Sequence, residues 1–145
     1  MVAPKDCWKE LSENENSILL DVRTNPEIMY VGAPDLASIK RPVIRAEFMK
    51  HSDAGFVPNP EFFELAKSRI IEKFPDFKTS PPEKYSLFFI CKAGPRGNNA
   101  AKTFYEHGYK NSYCIRGGFE GDLNGSKLRG KVSGWVYEGL PYVQS

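Results

Sequence analysis

At 145 residues, with 41% hydrophobic and 26% charged side chains, the chain is long enough for one domain that buries a core without disulfides or a structural metal. A net charge of +2 excludes a dedicated nucleic-acid binder, whose domain would be far more basic. Three cysteines (Cys7, Cys91, Cys114) make no disulfide framework, no apolar run is long enough to span a membrane, and no basic-then-apolar leader opens the chain; a cytoplasmic protein with free thiols is expected.

Pro4 followed by residues 5–13 predicts a short helix with Cys7, Trp8 and Leu11 on one face. Residues 17–22 (SILLDV) form a compact apolar run ending in Asp and Val, which suits a buried strand. Residues 23–36 hold Asn25-Pro26, Gly32 and Pro34 and read as turn-rich, with at most one helical turn. A second apolar run over 42–48 predicts a strand. Asn59-Pro60-Glu61 is a helix start, and Phe62, Phe63, Ala66, Ile70 and Phe74 follow at helical spacing until Pro75. Residues 77–84 read as a loop around Pro81-Pro82.

Residues 86–90 (SLFFI) predict another buried strand, which runs directly into Cys91. A helix is expected over 98–107, stopped by Gly108, then a short strand over 111–115, broken by Gly117-Gly118. Strands alternating with helices imply an α/β domain: a parallel sheet of about five strands flanked by helices on both faces. Ligands in such folds lie at the carboxyl ends of strands, and Cys91 stands at one. The charge is uneven: residues 1–34 carry six acids against three bases, and residues 84–131 nine bases against three acids. Basic clustering beside a cleft steers small anions toward it, although most of these lysines read as ordinary solvated surface.

The segment Ile90-Cys91-Lys92-Ala93-Gly94-Pro95-Arg96-Gly97-Asn98 carries the chemistry. A cysteine leaves a strand, and an arginine follows five residues later at the start of a helix. Small and turn-forming residues join the two. So short a bridge curls, and its backbone N–H groups, with the positive helix end, form an anion cradle that favours thiolate over thiol. Arg96 adds a fixed charge. Two chemistries use such a loop: attack on sulfane sulfur to give a persulfide, and attack on a phosphate ester to give a phosphocysteine. Phosphate with its oxygens needs a roomier C-x5-R loop, whereas the C-x4-R spacing here suits a single sulfur.

Several ordered segments together resemble the rhodanese-like family of sulfurtransferases. They are Leu20-Asp21-Val22-Arg23 with Glu27 and Gly32, the loop from Cys91 to Arg96, Asn98-Asn99-Ala100-Ala101 through Gly108-Tyr109-Lys110-Asn111, Gly117-Gly118-Phe119, Gly134-Trp135 and Gly139-Leu140-Pro141. The resemblance implies one rhodanese-like domain over 1–145, with Cys91 as the sulfur-accepting nucleophile. It implies that the backbone from Lys92 through Gly97 (Lys92, Ala93, Gly94, Pro95 and Gly97 as the substrate-binding positions) cradles the persulfide and the incoming anion, and that Arg96 closes and orients the loop. Asp21 supports the loop from below, and Arg23 and Glu27 are members of structural ion pairs.

The implied reaction is thiosulfate sulfurtransfer. A small anionic sulfane donor such as thiosulfate loads Cys91, and cyanide or a thiol unloads it, with no cofactor and no metal. Any protein acceptor is unspecified, and neither nucleic acid nor membrane is a partner. Three departures bear on activity. Ala93 and Gly97 stand where relatives commonly carry hydroxyl residues, and Pro95 has no N–H to give. These favour, as an alternative, a non-catalytic partner-binding module; a cysteine-dependent phosphatase is a further alternative, against which the short loop speaks. Lys127, Arg129 and Lys131 are expected to flank the pocket mouth. Cys114 reads as a core residue, with a resolving thiol as its alternative, and Cys7, Trp8 and Trp135 read as core.

Overall fold

The computed structural model describes residues 1–144. Two five-residue strands form its centre: β1 (Ser17–Asp21) and β6 (Ser86–Ile90). Their side chains alternate between the sheet's two faces, and both faces are covered. Ile18, Leu20, Leu87 and Phe89 enter one core, and Leu19, Phe88 and Ile90 the other. This explains why both segments read as continuous apolar runs: a strand buried on both faces has no polar side to show.

Two short strands flank that pair, β3 (Val43–Arg45) and β7 (Ser112–Cys114), giving a wholly parallel four-stranded sheet in the order β3-β1-β6-β7. The expectation of about five strands is thus one too many. The fifth position holds only a single parallel bridge, in which Val2 donates to the Cys114 carbonyl at 2.9 Å and accepts from the Arg116 N–H at 2.7 Å.

Helices α3 (Phe62–Lys73) and α4 (Pro95–Glu106) cover one face through Phe62, Ala66, Ile70, Ala100, Ala101 and Phe104. Helix α1 (Pro4–Glu13) covers the other through Cys7 and Leu11, together with Phe119, Trp135 and Leu140 from the glycine-rich tail. Trp8 meets Trp135 edge to face, with ring centroids 6.1 Å apart.

Five further features depart from the sequence reading. Residues Asn25–Val31 form a seven-residue helix, α2, rather than at most one turn. Pro26 lies in its first turn, where it is tolerated, and Gly32 ends it at a φ of 118° that favours glycine. Helix α3 starts at Phe62, because Asn59 instead forms a turn that accepts from the Glu61 and Phe62 N–H groups. Helix α4 starts three residues early, at Pro95. A hairpin of β4 (Met49–Ser52) and β5 (Gly55–Pro58) stands out beside the sheet, and a small pair joins β2 (Ala33–Pro34) to β8 (Tyr142–Val143). Among the described residues no helix is long and apolar enough to cross a membrane.

Candidate active site

Strand β6 ends at Ile90, and Cys91 follows with 1% of its surface exposed. Three residues on, Gly94 caps helix α4 at φ 137°, a torsion open to glycine and strained for other residues. There its N–H donates to the Cys91 sulfur at 3.0 Å. Pro95 occupies the first turn of α4, where no intrahelical partner exists for an N–H, so its missing donor leaves the helix unharmed. The Arg96 and Gly97 N–H groups lie in that same unpaired turn, at the positive end of the helix dipole.

The loop is held from behind by the segment after β7. The Phe119 N–H donates to the Cys91 carbonyl at 2.7 Å, and the Glu120 and Gly121 N–H groups donate to the Lys92 carbonyl at 2.9 and 3.3 Å. In a planar trans peptide the C=O and N–H point in opposite directions. Pulling these two carbonyls backward therefore turns the Lys92 and Ala93 N–H groups forward. Gly118 lies against the same peptides, and a Cβ there would stand 2.4 Å from the Cys91 carbonyl oxygen and 2.8 Å from the Ala93 nitrogen.

Two ion pairs brace this arrangement. Arg96 reaches helix α2, where its guanidinium grips Glu27 with both arms at 2.6 and 2.8 Å. Glu27 Oε1 also accepts from the Thr24 N–H and hydroxyl at the start of α2. Burial works against the Glu27 carboxylate, but the hydrogen bonds from Arg96 and Thr24 and the Arg96 charge outweigh it and hold the carboxyl at about 2. Arg96 is raised in turn, chiefly by its hydrogen bond to Glu27 and against burial, with Cys91 and Asp21 adding attraction.

The second pair is fully buried. Asp21, at the end of β1, takes the Arg23 side chain in a fork at 2.9 and 2.7 Å. Arg23 also donates to the Gly32 carbonyl and lies 4.3 Å from the centre of the Phe119 ring, while its Nη1 has no described partner. Asp21 therefore bears on the loop through a chain: it fixes Arg23, Arg23 backs Phe119, and the Phe119 N–H holds the Cys91 carbonyl. Arg23 and Glu27 each belong to an ion pair, but to different ones.

Gly97 faces the sulfur. A Cβ at that position would stand 3.5 Å from the Cys91 Sγ and 3.1 Å from the Cys114 Sγ, so the two sulfurs flank the space left by its missing side chain. The Cys114 thiol donates to the Gly94 carbonyl at 3.3 Å. Gly94 thus links the two, its N–H to one sulfur and its C=O to the other. Burial, helped by the charge of Cys91, pushes the Cys114 thiol up to about 12. Burial, with Glu10 nearby, also pushes up Cys7, which lies in the opposite core.

Arg129 donates to the Gly121 carbonyl at 2.7 Å and lines a cavity with Phe119 and Glu120, which shares no lining residue with the cavity beside Arg96 and Glu27. Lys127 and Lys131 are exposed. The sequence gives Glu27 no partner, and it gives Gly118 and Phe119, part of the family-like segment Gly117-Gly118-Phe119, no role in the site. The T-x-x-E pattern at Thr24–Glu27 is a helix-start signal that could have placed Glu27, whereas no local pattern points from Gly118 to the Cys91 loop. Among the described residues no cluster of three or more His, Cys, Asp or Glu could hold a metal ion.

A family model described as the STR4 middle domain matches residues 1–145. The Arabidopsis thaliana protein named rhodanese-like domain-containing protein 4, chloroplastic, is 22% identical over 140 residues, covering 97% of this chain and 25% of that protein. This chain belongs to the rhodanese-like family. A second relative, the Rickettsia conorii protein RC0915, shares 33% identity over 136 residues and is matched over 90% of its length, with 94% of this chain covered.

Among solved structures, the rhodanese-like chain superimposes on Rv0390 of M. tuberculosis with a TM-score of 0.81 and 32% identity, covering 99% and 96% of the two chains. The polysulfide-sulfur transferase homodimer of Wolinella succinogenes gives a TM-score of 0.56 and 27% identity, with 100% of this chain and 78% of that one covered. The chain is thus a rhodanese-like module. At Gly97 the space left by the absent side chain lies between two sulfurs.

Proposed function

We propose that this rhodanese-like protein is a sulfurtransferase that carries sulfane sulfur as a persulfide on Cys91. The observation that carries the reading is the Gly94 N–H aimed at the Cys91 sulfur from a loop whose carbonyls are drawn away behind it. Cys91, as its thiolate, attacks the outer sulfur of thiosulfate. The S–S bond breaks, its electron pair leaves with sulfite, and the transferred sulfur stays on Cys91 as an anionic persulfide. Cyanide or a thiol then attacks that outer sulfur, and the electron pair returns to Cys91. The Lys92, Ala93, Gly94 and Gly97 N–H groups stabilise the anion at each stage, as fixed dipoles that need no reorganisation. Arg96 orients the loop through Glu27, and Asp21 and Arg23 support it through Phe119. No cofactor enters the cycle, and three free thiols fit a reducing compartment such as the cytoplasm.

Intact mass after incubation with thiosulfate tests this. One sulfur atom is added, cyanide or a thiol removes it, and Cys91→Ser does not gain it, while Cys7→Ser and Cys114→Ser do. A Cys91→Ser protein that still gains sulfur ends the assignment. A second reading, a non-catalytic partner-binding module, is favoured by the missing hydroxyls at Ala93 and Gly97 and the missing N–H at Pro95; it predicts no loading of the wild type. The C-x4-R loop gives phosphate oxygens little room, so aryl phosphate hydrolysis is negligible, and Cys91-dependent hydrolysis would reverse that ranking.

A further inference from the structure

Two cavities meet at Met49, the first with Arg96 in its lining, and they differ in character. The first, about 490 Å³, is walled by Pro26, Met49 and Phe56, with Thr24 and the Arg96–Glu27 pair at its edge. Its lining is almost wholly apolar, and Phe56 stands 58% exposed. The second, about 330 Å³, shares Met49 with the first and is lined by Arg45, Lys50, His51 and Arg69, with Glu47 as its one described acidic side chain. His51 stacks edge-on against Phe56 with ring centroids 5.5 Å apart, so one hairpin walls both halves. Both volumes fall within the range of about 300–1,000 Å³ usual for small-molecule sites.

Charge commitment decides what each half can hold. Arg96, beside the apolar half, has both guanidinium arms on Glu27 and is not free to take an anion. Arg23, which also lines the basic half, has its Nε and one Nη on Asp21, while its other Nη has no partner among the described residues. Arg45, Lys50 and Arg69, by contrast, form no ion pair among the described residues. Arg69 spends one N–H on the Arg45 carbonyl and keeps the rest of its fork. Three uncommitted cations facing one carboxylate make an anion-attracting wall. A ligand filling both halves has an apolar stretch on Met49 and Phe56 and an anionic end among Arg45, Lys50 and Arg69. Thiosulfate and cyanide have no such stretch.

We infer that this divided crevice binds the sulfur acceptor, and that the acceptor is an organic thiol bearing a carboxylate at the far end of an apolar chain. The inference rests on the persulfide reading of Cys91 for its chemistry, but not for its binding geometry. The acceptor's carbon chain lies along the Met49–Phe56 wall, its carboxylate is held by the basic half, and its sulfur is left on the Arg96 side. There the acceptor thiolate attacks the outer sulfur of the persulfide. It leaves as an organic persulfide, and the S–S electron pair returns to Cys91.

Mercaptohexanoate and mercaptohexanol test this, since they share a chain length and differ in charge. With Cys91 preloaded by thiosulfate, mercaptohexanoate should unload the protein with a kcat/KM about tenfold higher, the effect of two to three exposed ion pairs. High salt should shrink that preference. Lys50→Glu combined with Arg69→Glu should abolish it without changing loading by thiosulfate. Phe56→Ala should slow both thiols alike.

Binding is read separately from turnover, by amide shifts of the hairpin and α3 on adding hexanoate and hexanol to the wild-type protein. If loading fails while hexanoate still shifts those amides and hexanol does not, the persulfide reading falls and the crevice stands. If loading succeeds but the two thiols unload Cys91 equally, or the charge reversal leaves the preference intact, the crevice is not the acceptor site.

Discussion

Between Gly118 and the carbonyl oxygen of Cys91 there is no space for a methyl group: a Cβ on residue 118 would lie 2.4 Å from that oxygen. The contact is backbone against backbone, so no side chain can swing aside. Gly118 has φ 60°, and a left-handed torsion costs a non-glycine residue roughly 1–2 kcal/mol. The clash, not the torsion, sets the larger penalty. Gly118→Ala should therefore lower stability by more than the torsional cost and sharply reduce sulfur loading. Gly125→Ala, with no neighbouring atom within 4 Å of the added Cβ, is the silent control. Urea denaturation and thiosulfate loading of both variants check this, and normal loading in Gly118→Ala would show that the rear clamp does not shape the cradle.

The Arg96–Glu27 pair predicts a specific acid response. The Glu27 carboxyl sits at about 2 in the folded chain, below its ordinary value of 4.5. A depressed carboxylate contributes stability that is present above the unfolded value and lost as pH falls from there toward 2. Glu27→Gln should remove that contribution and flatten the fall of Tm between pH 4.5 and 2. Arg96→Ala should slow loading of Cys91, and Arg96→Lys should restore it only in part, because lysine keeps the charge but not the two-armed grip. Equal rates in wild type and Arg96→Ala would remove Arg96 from the machinery.

Cys114 donates to the same residue whose N–H meets Cys91, so its thiol helps set the Gly94 peptide. With its thiol raised to about 12, it stays protonated at neutral pH and remains a donor rather than a nucleophile. Cys114→Ala should slow loading severalfold, while Cys114→Ser, which keeps a donor, should load close to the wild-type rate. Loss of the same size in both variants would mean that packing, not the donated proton, is what Cys114 supplies. A Cys91–Cys114 disulfide after thiosulfate treatment would instead revive the resolving-thiol reading.

The Asp21–Arg23 pair has no exposure on either side chain. Removing one member leaves a buried charge uncompensated, which costs about 3–5 kcal/mol. Asp21→Asn should show a loss of that size in urea denaturation, and Arg23→Met a similar one. The double variant should recover much of the loss, since it leaves neither buried charge unpaired. Losses that simply add in the double variant would contradict the pairing.

The chemistry-bearing half of the sheet could be read directly from the chain. The runs SILLD and SLFFI are apolar on every position that enters a core, and Cys91 follows the second of them without a break. Proline misled in two places. Asn25-Pro26 and Gly94-Pro95 look like interruptions, yet both prolines occupy first-turn positions and open helices. The β4–β5 hairpin carries Lys50 and His51 and is largely open to solvent, so no alternation marks it. The partnership of Glu27 with Arg96 spans 69 positions. It depends on where α2 lands against α4, and no local pattern records that.

The cradle around Cys91 is closed by residues that leave the ribosome well after it. The two carbonyls that shape the loop are held by Phe119, Glu120 and Gly121, and Phe119 is itself seated by Arg23, two residues after the first strand. During synthesis, Cys91 therefore emerges as an ordinary strand-end thiol. The two ends of this brace must meet before the loop takes its form. A nascent chain stalled before residue 117 would expose the sulfur without the dipoles that hold it, so sulfur loading should report on completed folding rather than on the presence of the cysteine.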